Sequence, residues 1–242
     1  MKKLIFMFIT FLSFINVIAQ PNIENKKIMK VSYIATNLSP NMISVLKSSI
    51  SSPDIYQQTV NLLEKYKFYY SLYINLENNE SAFVLDSIHT EPGISSFGQI
   101  NKIYTDNENN FIGQEEFLKS ISSFQGKFSD LKWKSTALEK KIGNYICTKL
   151  IEEEHNDIEI WVCTDIPINR GPGYFQSHLG LVLEASDFFN TIKLQGLSYI
   201  DSSDIIYKTK QELSNLKTIS FKEELKLKDN AIQSMNVDKE NN

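Results

Sequence analysis

Short runs of alternating apolar and polar residues, separated by polar turns, recur along this chain, and alternation with a period of two is the mark of half-buried strands in an antiparallel sheet. Residues 28–35 read as a first strand with Met29, Val31 and Tyr33 on one face. Residues 67–76 and 80–85 read as a hairpin, and residues 100–105 and 110–118 as another around 106–109. Residues 145–151 and 157–164 form the clearest hairpin, and 179–185 can pair with 191–200 across 187–190. In the run 68–73, Phe68, Tyr70 and Leu72 share one face and Tyr69 and Tyr73 the other. That arrangement fits either a central strand or a concave apolar face open to a lipid or peptide.

Two stretches depart from the strand period. After Pro40, Ile43, Leu46, Ile50, Tyr56, Val60 and Leu63 recur at helical spacing and are interrupted at Pro53, giving two short helices or one broken helix. From about Leu213 the pattern turns helical again, with Leu216, Ile219, Leu225 and Leu227 among Lys and Glu. Residues 86–99 and 167–174, rich in Gly and Pro, read as loops, with Gly171-Pro172-Gly173 as a rigid, exposed turn. The expected fold is mainly β: one domain over residues 20–232, a curved antiparallel sheet or open barrel. Helices follow the first strand and close the C-terminus, and residues 233–242 form a polar, frayed tail.

The first residues change the picture of location. Lys2 and Lys3 precede an apolar stretch over 4–15, and Val17-Ile18-Ala19 ends it, the layout of a secretory signal peptide cleaved after residue 19. The apolar stretch is shorter than the ~20 residues a membrane span needs. The expected location is therefore the periplasm or cell envelope, or outside the cell, as a protein that does not span the membrane once mature. Without Lys2 and Lys3 the formal charge moves from −4 to −6. That acidity argues against nucleic acid, whose phosphates require a basic footprint.

Cys147 and Cys163 are the only cysteines in the chain. If the loop between residues 151 and 157 turns on His155, residue 147 stands opposite residue 163, close enough for a disulfide. A two- or four-residue loop places them on opposite faces and forbids the bond. The histidines, His89, His155 and His178, are scattered, and no metal or cofactor is expected. No phosphate loop, zinc helix or nucleophile elbow is present. The acidic run 152–157 and the turn 106–110, which lacks the glycine a calcium loop needs, read as solvated turns. Arg170 is the single arginine; it can clamp a carboxylate or phosphate, or pair with Asp165 or Glu184 and hold its loop. His178, beside a strand, reads as a rim residue or as a ligand or base.

One stretch is more specific. It contains Trp133, then Lys140 with Ile142, Gly143, Tyr145 and Cys147. Trp161 follows, then Ile166-Pro167 and Gly171-Pro172, and the run 177–184 closes it with Gly180, Leu181, Leu183 and Glu184. This order resembles the GLPGLI family of exported bacterial proteins, although Ser177, His178 and Leu179 replace the first Gly, Leu and Pro of the run that names that family. The resemblance implies export and names no activity. The residues themselves read mainly as structure: Gly143 as a turn needing positive φ, Trp133, Tyr145 and Trp161 as sheet anchors, Gly180 as a bulge or close approach.

The expected function is a non-enzymatic envelope protein that binds an apolar small molecule or a protein partner. The alternatives are a hydrolase whose site gathers around Arg170, Asp165 and His178, and a structural subunit of an envelope assembly.

Overall fold

The computed structural model describes residues 27–90 and 98–237, with side chains to 234. The expected signal peptide and the Pro92-Gly93 turn lie outside the described residues. The sheet grows outward from its first strand. β1 (Ile28–Thr36) pairs along its full length with β2 (Lys67–Asn75) on one side. On that side the chain continues as a meander through β3 (Ser81–His89), β4 (Gln99–Thr105), β5 (Asn110–Phe117) and β6 (Ser120–Lys127). A second meander, β7 (Trp133–Ile142), β8 (Tyr145–Glu152), β9 (Glu159–Cys163), β10 (Leu181–Ser186) and β11 (Thr191–Ile200), returns until β11 pairs with the free side of β1. The result is a twelve-stranded open sheet, antiparallel except where β12 (Ile219–Ser220) lies parallel to β6.

Connectivity dictates the curvature. β6 and β7 follow one another in the chain, yet nine strands separate them in the sheet. At ~4.8 Å per strand, a flat sheet holds them roughly 48 Å apart. The connection 128–132, which includes a 3-10 turn at Phe128–Asp130, reaches only roughly 20 Å when extended. The sheet must therefore curl until its edges approach. Strand twist accumulates in that direction, and register breaks at Ser32/Tyr33, Tyr69/Tyr70 and Ser135/Glu139 add local bends.

The concave face holds the core. Met29, Val31, Tyr33 and Ala35 of β1 lie beside Phe68, Tyr70, Leu72 and Ile74 of β2, all buried. Tyr70 stacks on Phe83 of β3 at 4.7 Å. On the outer face Tyr73 packs with a smaller cluster of Ile28, Ala82 and Tyr104 beneath α3 (Ile205–Ser214). β2 is thus the central strand of the two readings its sequence allowed.

The helices after β1 are two, α1 (Pro40–Ser49) and α2 (Pro53–Lys65). Each begins with a Ser that accepts a first-turn N–H, followed by a Pro at a position where no N–H is needed. The C-terminal region differs from the sequence pattern. Helix α3 starts before Leu213, and α4 (Phe221–Val237) runs through the first half of the expected polar tail. Strands β6 and β7 escaped the pattern because their side chains are mostly polar and exposed. β3 also runs on to His89, into the region read as loop.

Tyr33 donates from its hydroxyl to the carbonyl of Val182 at 2.7 Å, joining β1 to a strand that is not its neighbour. Tyr33→Phe removes this hydrogen bond from the core. Urea unfolding should show a loss of about 1–3 kcal/mol.

Candidate functional site

The segment between β9 and β10 is the longest connection that is neither strand nor helix among the described residues, and its middle does not run over the surface. Residues 170–177 are all buried, and Tyr174 and Phe175 belong to the main core cluster with Phe124, Ile103 and Phe221. The Gly-Pro-Gly turn expected to be exposed therefore sits inside the curled sheet, because curling leaves a concave apolar face that some segment must cover. Gly171 allows this: a Cβ there would lie 2.0 Å from the Phe175 carbonyl. Gly180 ends the segment at φ 154°, pressed against the Cys163 carbonyl. Residues 164–180 thus form a plug.

Arg170 anchors the start of the buried stretch of the plug. It is fully buried, and its guanidinium donates to three parts of the chain. Nη1 reaches Asn109 Oδ1 at 2.8 Å and the Asn169 carbonyl at 2.7 Å. Nη2 reaches the Asp106 carbonyl at 3.0 Å and the Asn79 carbonyl. Asn79 and Asn109 occupy the left-handed region, φ 60° and 66°, at the β2–β3 and β4–β5 turns. The turns are built so that one arginine ties both hairpin ends to the plug. Burial holds this guanidinium down at about 10, and the nearby charge of Asp106 opposes the shift. Neither expected carboxylate partner holds it: Asp165 is exposed, and Glu184 pairs with Lys140 at 2.7 Å. Arg170 is also unavailable as a clamp for an outside anion.

A second anchor was not legible in the sequence. Lys228 of α4 is buried against Glu115 of β5 at 2.7 Å and donates to the Tyr174 hydroxyl at 3.0 Å. Tyr174 in turn donates to Asp187 Oδ2 at 3.3 Å, and Asp187 Oδ1 accepts the backbone N–H groups of Phe189 and Asn190. Burial alone lowers the affinity of Lys228 for its proton, but the surrounding Glu115, Tyr174 and Asp187 outweigh it and hold the ammonium well above its usual range. Burial raises Glu115, against the pull of Lys228. The voids beside this network measure about 20 and 10 Å³, room for no more than a water molecule.

The signature residues gather around the plug and its strands. Lys140 lies 4.1 Å from the Trp161 ring and pairs with Glu184, so three of these positions form one stack. Gly143 turns β7 into β8 at φ 58°, as expected. Trp133, Tyr145, Trp161 and Ile166 pack against the core edge, and Leu181 and Leu183 are fully buried. Ile142 packs there too; Pro167 is exposed, and Pro172 accepts the N–H of Phe175 at 3.2 Å.

His178 is exposed and makes no hydrogen bond or ion pair among the described residues. No hydrogen bond or ion pair joins Arg170, Asp165 and His178 among the described residues. His178 instead lies on the rim of an open cleft of about 520 Å³ along the β6–β7 connection. Phe128 and Trp133 supply aromatic surface there, with Asn109, Asn169 and Gln176 between them. Two buried polar atoms in its lining residues lack partners, the Trp133 indole nitrogen and Gln176 Oε1. Gln176 Nε2 donates to Thr105 Oγ1 and the Gly173 carbonyl, which fixes the amide. In a second groove of about 610 Å³ beneath α3, Lys210 is paired with Glu80 and Asp130 accepts the Lys127 N–H. The acidic tip also differs from a solvated turn at one residue: Glu152 is buried and caps the N–H groups of Lys132, Glu154 and His155. Asp106 closes its own turn through the N–H groups of Glu108 and Asn110. Among the described residues no cluster of three metal-binding side chains occurs.

No protein-family model and no curated protein matches the chain. Among solved structures it is similar to PNGF-II, at 15% identity and a TM-score of 0.45, over 80% of this chain and 30% of that one. It is also similar to an uncharacterized conserved protein from Thermus thermophilus, at 7% identity and a TM-score of 0.35, over 82% and 93%. The chain thus spans less than a third of the length of PNGF-II.

Two substitutions test the anchors. Arg170→Met strands buried carbonyl groups and should cost at least about 3 kcal/mol in urea unfolding. Lys228→Met leaves Glu115 buried without its cation, at a cost of about 3–5 kcal/mol near pH 8. Because Glu115 is already raised, it binds a proton in the folded chain before the unfolded one as pH falls, so that cost should shrink toward pH 5. Adding Glu115→Gln should recover most of it at pH 8.

Proposed function

We propose that this chain is an exported, non-enzymatic envelope protein that binds its ligand or partner in the cleft along the β6–β7 connection. The observation that carries this reading is the pair of unpartnered buried groups in the cleft wall, a donor on Trp133 and an acceptor on Gln176. Buried polar groups without partners are uncommon, and each calls for an explanation such as a ligand that completes it. Two aromatic rings and three neutral amides beside them suit a ligand with a flat apolar face and adjacent donor and acceptor groups. A small amphipathic molecule or a peptide segment of a partner has that character.

The concave face does not offer an alternative, because residues 170–177 and α4 fill it. A structural subunit would expose a broad apolar patch. Here the most exposed large apolar side chains, Ile55, Ile121, Leu138, Ile146, Tyr207 and Leu227, sit on six different elements. For a hydrolase, Arg170 is committed to carbonyl groups and Asn109, and no hydrogen bond or ion pair links His178 to an acid or a nucleophile among the described residues.

Native mass spectrometry of the protein purified from the envelope of its own host tests the reading. The expected result is an adduct lost on denaturation and reduced about tenfold in Trp133→Phe, which removes one hydrogen bond of ~1.4 kcal/mol. An adduct equally abundant in that variant, or a clean apo mass with no cross-linked partner at the cleft, contradicts it.

A further inference from the structure

We propose that Cys147 and Cys163 are joined by a cross-strand disulfide that fixes the root of the plug. The β8–β9 ladder pairs Leu150 with Ile160, Lys149 with Trp161 and Thr148 with Val162. One further step in the same register sets Cys147 opposite Cys163, on the same face of the pleat. Directly opposed residues in an antiparallel pair have Cα atoms about 4.5–5.5 Å apart, within disulfide range. Both cysteines are fully buried as free thiols in this structure. Burial, and then the neighbouring Cys163, pushes the Cys147 thiol up to about 12. A metal is no rival occupant, since no third ligand joins the pair among the described residues.

The position gives the bond a purpose. Cys163 is the last residue of β9, and the plug begins at the next residue. The far end of the plug returns to the same place, where a Cβ on Gly180 would lie 2.2 Å from the Cys163 carbonyl. A bond from Cys163 to the neighbouring strand β8 thus secures the plug where it leaves and where it re-enters. Folded, both sulfurs are shielded from solvent and the Cys147 thiol holds its proton, so the bond must form while the β8–β9 hairpin is paired and the core is still open. One thiolate attacks a sulfur of an oxidant disulfide, giving a mixed disulfide and releasing one oxidant thiol. The second cysteine then attacks the first and releases the other, so two protons and two electrons pass to an envelope dithiol oxidase, or in vitro to oxidised glutathione.

The oxidant rests on the exported location proposed above, and the geometry does not, so the test has two arms. In the first, reduced, unfolded protein is refolded with oxidised glutathione, denatured, and treated with iodoacetamide without reductant. The expected product carries no alkyl group, weighs two hydrogens less than the reduced chain, and yields a digest peptide linking residues 147 and 163. Two alkyl groups per chain overturn the proposal, whatever the location. In the second arm, the protein purified from the envelope of its host is treated in the same way. The bond there confirms it in the cell, and free thiols there overturn it as a feature of the mature protein. Closing a loop of about fifteen residues should also raise Tm by about 6 °C or more over the reduced protein. Cys147→Ala/Cys163→Ala should abolish that sensitivity to reductant, and an equal Tm with and without reductant in the wild type counts against the bond.

Discussion

A short connection between the two edges of a wide sheet governs this molecule. Because residues 128–132 must join strands that nine others separate, the sheet cannot lie flat, and its concave face becomes a trough lined by aromatic and branched side chains. An apolar trough in water is unfavourable in proportion to its area, at ~25 cal/mol per Å², and something must cover it. The chain covers it with its own segment between β9 and β10 and with the first turns of α4. Burying an irregular segment brings its own difficulty, since its backbone groups have no ladder to join. The buried arginine and the Lys228–Glu115–Tyr174–Asp187 chain meet that demand: they give the segment charged, hydrogen-bonded anchors at its start and its middle.

Those anchors also separate structure from function. Residues that attract notice in the sequence, Arg170 and the Gly-Pro pair, are consumed by the fold. The cleft proposed as the binding site lies outside, along the seam where the edges of the sheet approach. There Trp133 begins the edge strand β7, and Gln176 is the last glutamine before the plug emerges at His178. A binding surface at such a seam borrows rigidity from both halves of the sheet without drawing on the core.

Much of the fold was legible because half-buried strands carry a strict period. The β8–β9 register followed from the turn at His155, and Met29, Val31 and Tyr33 face the core as their alternation required. β6 and β7 were not legible, since strands at or next to the sheet edge with exposed polar side chains carry no such period. The plug was misread for the opposite reason. Gly and Pro mark an irregular backbone correctly, but they say nothing of burial, which depends on a curvature set by distant strands. Arg170 was visible as unusual and its partners were not, because they are backbone carbonyls, which every residue has. Lys228 and Glu115, 113 positions apart, look in sequence like ordinary members of solvated runs.

Hydrogen–deuterium exchange resolved to single amides tests the central claim, that residues 170–177 are core and not loop. The account predicts that the amides of Tyr174, Phe175 and Gln176 exchange as slowly as those of β1 and β2, near the rate set by global unfolding. Exchange of these amides within seconds, while β1 and β2 stay protected, would mean that the segment lies open on the surface, and would contradict it.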